Sequence, residues 1–227
     1  ANVLGAIAVP VNFRMTPPEI AYLVRDCDPK AVITEQVLAP VATAVRELEP
    51  SLATVIVAGG ATEGNVLGYE DVLAEDGAPP APVDIPEDSP ALIMYTSGTT
   101  GEPKGALLHH MGLVTNARFV AARAQQHEDV HICPMPLFHT AGSVMSVLGC
   151  VTTLSTLVLI VAFDPNLVLQ AIADERGTRL GGVPTMLLAL LEQRKAKTYD
   201  LSSLQLAMSG GAPVPVALTE RVRTEMG

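Results

Sequence analysis

Three glycines, four aliphatic hydroxyls and one lysine are packed into the eleven residues Tyr95-Thr-Ser-Gly-Thr-Thr-Gly-Glu-Pro-Lys-Gly105. Glycines let backbone N–H groups approach an anion, hydroxyls add donors, and an ammonium adds positive charge. The combination reads as a phosphate cradle, with Thr96, Ser97, Gly98, Thr99, Thr100, Gly101 and Lys104 as candidate contacts. The apolar run Ala91-Leu-Ile-Met94 precedes it and a helix over 109–124 is predicted to follow, so the expected setting is strand, loop and helix. It is not a Walker loop: no Gly-Lys-Ser/Thr follows Gly98 or Gly101 at that spacing, and Pro103 precedes Lys104. The dinucleotide pattern G-x-G-x-x-G is absent too.

Other chemistry-bearing residues are sparse. His139 lies between Phe138 and Thr140 in an apolar stretch, where a lone histidine reads as a hydrogen-bonded core residue. Gly210-Gly211-Ala212 reads either as a strand-to-helix turn or as a small-residue surface for a flat ligand. His127 and His131 flank Glu128-Asp129 without a matching ligand set, and His109 and His110 carry no assigned chemistry. Cys27, Cys133 and Cys150 form no C-x-x-C pair, which implies a reducing, cytoplasmic setting and no cysteine metal site. Neither a Ser-His-Asp set nor G-x-S-x-G supports hydrolase chemistry.

The elements that must hold these residues alternate. Helix is predicted over 16–27, with Thr16 as N-cap, Pro17 in the first turn and Glu19 closing a capping box. Strand 31–34, helix 37–48 and strand 54–57 follow. Five prolines crowd 77–90, which marks a linker between a first α/β subdomain at 1–76 and a second region at 91–227. Beyond the loop the expectation is a buried helix through Gly149, a buried strand over 157–161, and a helix that Asp164-Pro165 starts and Gly177 stops. Strand 179–183, helix 185–195, strand 204–208 and helix 214–226 complete the chain. This alternation predicts an α/β fold of doubly wound parallel sheets flanked by helices, with ligands beyond the carboxyl ends of strands.

Composition agrees with buried sheets: 48% of residues are hydrophobic and 17% charged. The net charge of −10 argues against a nucleic-acid partner. No Asp, Glu, Lys or Arg occurs between Asp129 and Asp164, long enough for a membrane span, but its hydroxyl-rich middle and acidic flanks favour soluble elements, and no transmembrane segment is expected. No N-terminal targeting signal is visible.

The 95–105 string closely resembles the phosphate loop of the adenylate-forming superfamily, which includes acyl- and aryl-CoA synthetases, peptide-synthetase adenylation domains and luciferases. Three further segments match in the family's order: Gly5–Asn12 with Thr16–Tyr22, Pro134–Gly142, and Ser209–Pro213. The resemblance implies that ATP donates an adenylyl group to a carboxylic acid and that CoA takes the acyl group. It implies that Lys104 and His139 serve catalysis, that Thr96 approaches Mg²⁺, and that Gly210, Gly211 and Ala212 flank adenine. It places His139, Gly182 and Thr185 beside the acyl group, although helix 185–191 is equally ordinary core. Apolar segments 135–148 and 183–191 point to a fatty or aryl acid. The chain looks like the central fragment of such an enzyme's large N-terminal domain, without the family's C-terminal catalytic elements, and alone it is expected to be inactive. A fatty acyl-AMP ligase, a peptide-synthetase domain and a catalytically silent ATP- or acyl-binding module remain alternatives.

Overall fold

The computed structural model describes residues 2–60, 62–74, 77, 81, 83–96, 101–124 and 127–226. Contacts divide the chain into two compact units, Ala1–Ile85 with Ala91–Leu107, and Pro86–Pro90 with Leu108–Gly227. The segment 91–107, which the sequence reading joins to the C-terminal region, makes its contacts with the first unit.

In the first unit α1 spans Pro17–Cys27. The Glu19 carboxylate accepts both the Thr16 N–H and its hydroxyl at 2.7 Å, which fixes the helix start and holds that carboxyl below its usual range. Asp28, at φ 42°, turns the chain out of α1. Then come β1 (Ala31–Glu35), α2 (Ala39–Leu48) and β2 (Thr54–Ala58), close to the predicted bounds. A short β3 (Val66–Gly68) and α3 (Tyr69–Ala74) were not anticipated; each is too short to show a period. β1, β2 and β3 are parallel in that order, and Ala21, Val24, Ala42, Val45 and Val55 bury their side chains between the helices and this sheet.

β4 (Pro90–Thr96) and β5 (Lys104–His109) form a separate two-stranded sheet. Ala8 adds one parallel bridge to Leu92, all the strand character that the segment Gly5–Asn12 shows. β5 corrects the expected strand, loop and helix. The loop returns into a strand, and only then does α4 (His110–Ala124) begin. Ala106-Leu-Leu108 favours helix locally, but pairing with β4 satisfies the backbone and overrides that preference.

The second unit adds β6 (Val130–Cys133), a π-helix (Ala141–Leu148) running into α5 (Gly149–Thr153), β7 (Thr156–Leu159), α6 (Pro165–Asp174), β8 (Arg179–Gly182), α7 (Pro184–Ala196), β9 (Leu206–Ser209) and α8 (Val216–Glu225). Its four strands are parallel in the order β7-β6-β8-β9. Ile132 and Leu180 pack with Val168, Leu169, Leu187 and Leu190 from α6 and α7 on one face. His131, pointing the other way along β6, bonds Ser146 of the π-helix, so helices cover both faces. This is the expected α/β architecture.

Two local expectations fail. The strand predicted buried at 157–161 is an edge strand ending at Leu159, with Val161 fully exposed. Hydrophobicity alone cannot tell an edge from a centre. Gly177 is not the residue that turns α6: the helix ends at Asp174, Arg176 takes the left-handed turn at φ 53°, and the Gly177 N–H closes the end on the Ile172 carbonyl at 2.9 Å. Gly177 instead lets Ile132 approach, since a Cβ there would lie 2.6 Å from its side chain. Among the described residues no helix is long and apolar enough to cross a membrane.

Candidate active site

Of the candidate phosphate-loop residues, Thr96, Gly101 and Lys104 are described and belong to the first unit. β4 ends at Thr96 and β5 begins at Lys104, and the Thr96 hydroxyl donates to the Lys104 carbonyl at 3.4 Å, closing the neck of the loop. Thr96 and Lys104 are both exposed, and among the described residues the Lys104 ammonium has no carboxylate within ion-pair distance. Gly101 sits at φ 126°, a backbone state that side chains resist. Ser97, Gly98, Thr99 and Thr100 lie outside the described residues. With β5 after the loop, no helix N-terminus faces an anion held here.

The remaining candidates gather in the second unit, at the carboxyl ends of three neighbouring parallel strands. From β6 the chain runs to β7 on one side, then crosses to β8 on the other, so the order reverses between β6 and β8. Such a switch point leaves a crevice beyond the strand ends where the two connections part. The loop carrying His139 leaves β6 there, and Gly182 to Thr185 leave β8. Gly210, Gly211 and Ala212 follow β9, whose Ser209 pairs with Gly182. Gly211, at φ 79°, lies beside Val183: a Cβ there would be 3.5 Å from its side chain. The loops after β8 and β9 therefore touch. Gly210 faces open space and Thr185 is exposed, whereas Gly182 is buried against Met186 and Leu187.

His139 is exposed, so the core alternative that its apolar neighbours suggested does not hold. Its ring leans on Phe138 at 5.0 Å, and its carbonyl accepts from the Gly142 and Ser143 N–H groups as the π-helix begins. π-Helical turns are uncommon and often lie at functional sites.

The core histidine is His131, which the sequence reading passed over. It is 1% exposed, with Nε2 3.2 Å from the Ser146 hydroxyl. Burial pushes its imidazole down to about 4 from the ordinary 6.5, against the pull of Asp129 and helped by Arg179. On unfolding it takes up a proton anywhere between these values, so its contribution to stability is present above pH 6.5 and lost as pH falls towards 4. The expected slope is at most about 1.4 kcal/mol per pH unit, read from urea midpoints, and His131→Gln should flatten it. An unchanged slope in that variant would assign the pH dependence elsewhere.

Asp129 and Arg179 were missed as well. Arg179 Nε donates to Asp129 Oδ2 at 2.8 Å and the Thr178 hydroxyl to Oδ1 at 2.9 Å, bonds spanning some fifty residues that no local pattern announces. Among the described residues no group of His, Cys, Asp or Glu is arranged to hold a metal ion.

Comparison with known proteins gives a consistent picture. A family model described as AMP-binding enzyme matches residues 2–227. The chain is 35% identical to the acyl-CoA ligase sidI of Aspergillus fumigatus, over 98% of its own length and 41% of the relative's. It is 36% identical to a feruloyl-CoA synthase of an Amycolatopsis species, over 96% of itself and 41% of that protein. Among solved structures, the anthranilate CoA ligase AuaEII in complex with anthranoyl-AMP superposes with a TM-score of 0.89 at 26% identity, covering 98% of this chain and 44% of that one. The chain thus spans less than half the length of the relatives it matches.

Proposed function

The chain belongs to the AMP-binding enzyme family, and on that footing we propose that it forms part of an ATP-dependent acid–thiol ligase acting on a fatty or aryl acid. A carboxylate oxygen attacks the α-phosphorus of ATP, the bond to the β-phosphate breaks, and pyrophosphate leaves. The thiol of CoA then attacks the acyl carbonyl and AMP departs. The single observation that carries the reading is the loop neck, where an exposed Lys104 without a carboxylate partner among the described residues closes against Thr96. Lys104 and the loop donors orient the β- and γ-phosphates and stabilise the charge that grows on departing pyrophosphate.

Thr96 suits a supporting role towards Mg²⁺. Among the described residues its exposed hydroxyl oxygen accepts no hydrogen bond while its proton points to the Lys104 carbonyl, and Mg²⁺ takes most of its ligands from phosphate and water. When bound, the ion neutralises phosphate charge. The strand-end crevice carrying His139, Gly182 and Thr185 is the proposed acyl side, and the open surface at Gly210 to Ala212 the adenine side. The relatives support an aryl acid: one is a feruloyl-CoA synthase and another holds anthranoyl-AMP.

Acid-dependent exchange of pyrophosphate into ATP, scored over fatty, aryl and amino acids with the protein that carries this sequence, tests the reading. Fatty or aryl acids should drive exchange, and a preference for amino acids overturns the acid class. ATP binding without acyl-AMP would mark a silent binding module. Lys104→Ala is expected to weaken ATP binding by about tenfold while leaving AMP binding unchanged, because the missing charge faces only the outer phosphates. Equal losses for both nucleotides would remove Lys104 from that role.

A further inference from the structure

Two side chains of α1 reach the neck of the loop. Tyr95 donates its phenol to Asp26 Oδ2 at 2.6 Å, and Tyr22 donates its phenol to the Pro103 carbonyl at 3.1 Å. Tyr22 and Asp26 are four residues apart, so both stand on one stripe of the helix. Tyr95 immediately precedes Thr96, and Pro103 immediately precedes Lys104. Each contact therefore fixes the chain one residue before a group assigned to the phosphates.

The helix making these contacts is itself anchored. Its start is held by Thr16 and Glu19, and Ala21, Leu23 and Val24 are buried on its inner face. Both phenols are raised above their ordinary range, chiefly by burial, with Asp26 adding to the effect on each and Glu102 to that on Tyr22. They remain O–H donors through the neutral range. The Tyr95 hydroxyl occupies a lone pair of Asp26 without cancelling a carboxylate's charge, so Asp26 does not itself attract the anion. What α1 supplies to the loop is direction rather than charge.

We propose that Tyr22 and Asp26 are positioning residues for nucleotide phosphates, gripping the two strands of the loop neck so that Thr96 and Lys104 face one ligand. This deepens the function proposed above and rests on Lys104 as a phosphate ligand. Calorimetric titration of ATP and of AMP tests it in Tyr22→Phe, Asp26→Ala and Asp26→Asn, with urea midpoints recorded alongside. Asp26→Ala is expected to weaken ATP binding about tenfold and Tyr22→Phe about fivefold, with AMP affinity unchanged. Asp26→Asn keeps an acceptor for Tyr95 and should stay within about threefold of the parent.

Unaltered ATP affinity in Asp26→Ala and Tyr22→Phe would overturn the proposal. So would parallel losses for AMP, which signify a general structural role, or an asparagine variant as weak as the alanine one, which signifies charge. A parent protein that binds AMP but not ATP would sink the phosphate assignment itself, and the clamp with it.

Discussion

Arg179→Met is expected to destabilise the second unit by about 3–5 kcal/mol, measured as the unfolding free energy in urea. The Arg179 side chain is 11% exposed and that of Asp129 6%, and their 2.8 Å bond joins the start of β8 to the residue before β6. Methionine fills the aliphatic part of the arginine and leaves Asp129 charged in a place that water scarcely reaches. The Thr178 hydroxyl still donates to Asp129, but a hydroxyl does not neutralise a carboxylate. Adding Asp129→Asn to the methionine variant should restore part of the loss, since it removes the buried carboxylate charge that Arg179 balanced. A loss below about 1 kcal/mol would show that the pair is solvated like a surface bridge.

Gly142→Ala is expected to cost about 3 kcal/mol and to disturb the loop that presents His139. A Cβ at 142 would stand 2.4 Å from the Pro136 carbonyl oxygen and 2.8 Å from that of Met135. Both obstacles are backbone, so no rotamer change relieves them. The same turn carries the bond from the Gly142 N–H to the His139 carbonyl, at 3.1 Å. Relief by backbone shift must therefore move His139. Acid-dependent exchange should fall further than the stability loss explains, while the preference for ATP over AMP, proposed for Lys104 in the first unit, should hold. Wild-type stability in the alanine variant would show that the turn relaxes freely.

Much of this was legible in the chain because it is written locally. Thr16-Pro-Pro-Glu19 announces a helix start, Asp164-Pro165 another, and Asp164 Oδ1 does accept the Leu167 N–H at 2.9 Å. The phosphate loop stood out because its glycines, hydroxyls and lysine are contiguous. β6 was not legible: only four residues long, it contains a histidine, and Asp129 precedes it, so a central strand looks like a polar connection. The polar groups at and before it are tolerated through partners that the fold delivers, among them Arg179 and Thr178 to Asp129 and Ser146 to His131. β5 was hidden for a related reason, because its strand state depends on pairing with β4 across the loop. Exposure was the other blind spot: apolar neighbours alone suggested a core setting for His139, which only the family resemblance set aside, and His131 beside acidic residues was not read as core.

The grip of α1 on the loop neck also sets an order of assembly. Tyr22 meets Pro103 across 81 residues, and Asp26 meets Tyr95 across 69, whereas the α1, β1, α2 and β2 segment closes on itself within the first 58 positions. Chain closure over the longer spans costs more entropy and is rewarded only after both ends exist. During synthesis α1, β1, α2 and β2 are complete in sequence before Lys104 is added, so the shorter closures have the first opportunity to form. A fault in the first helix would then reach the proposed phosphate residues through Tyr22 and Asp26.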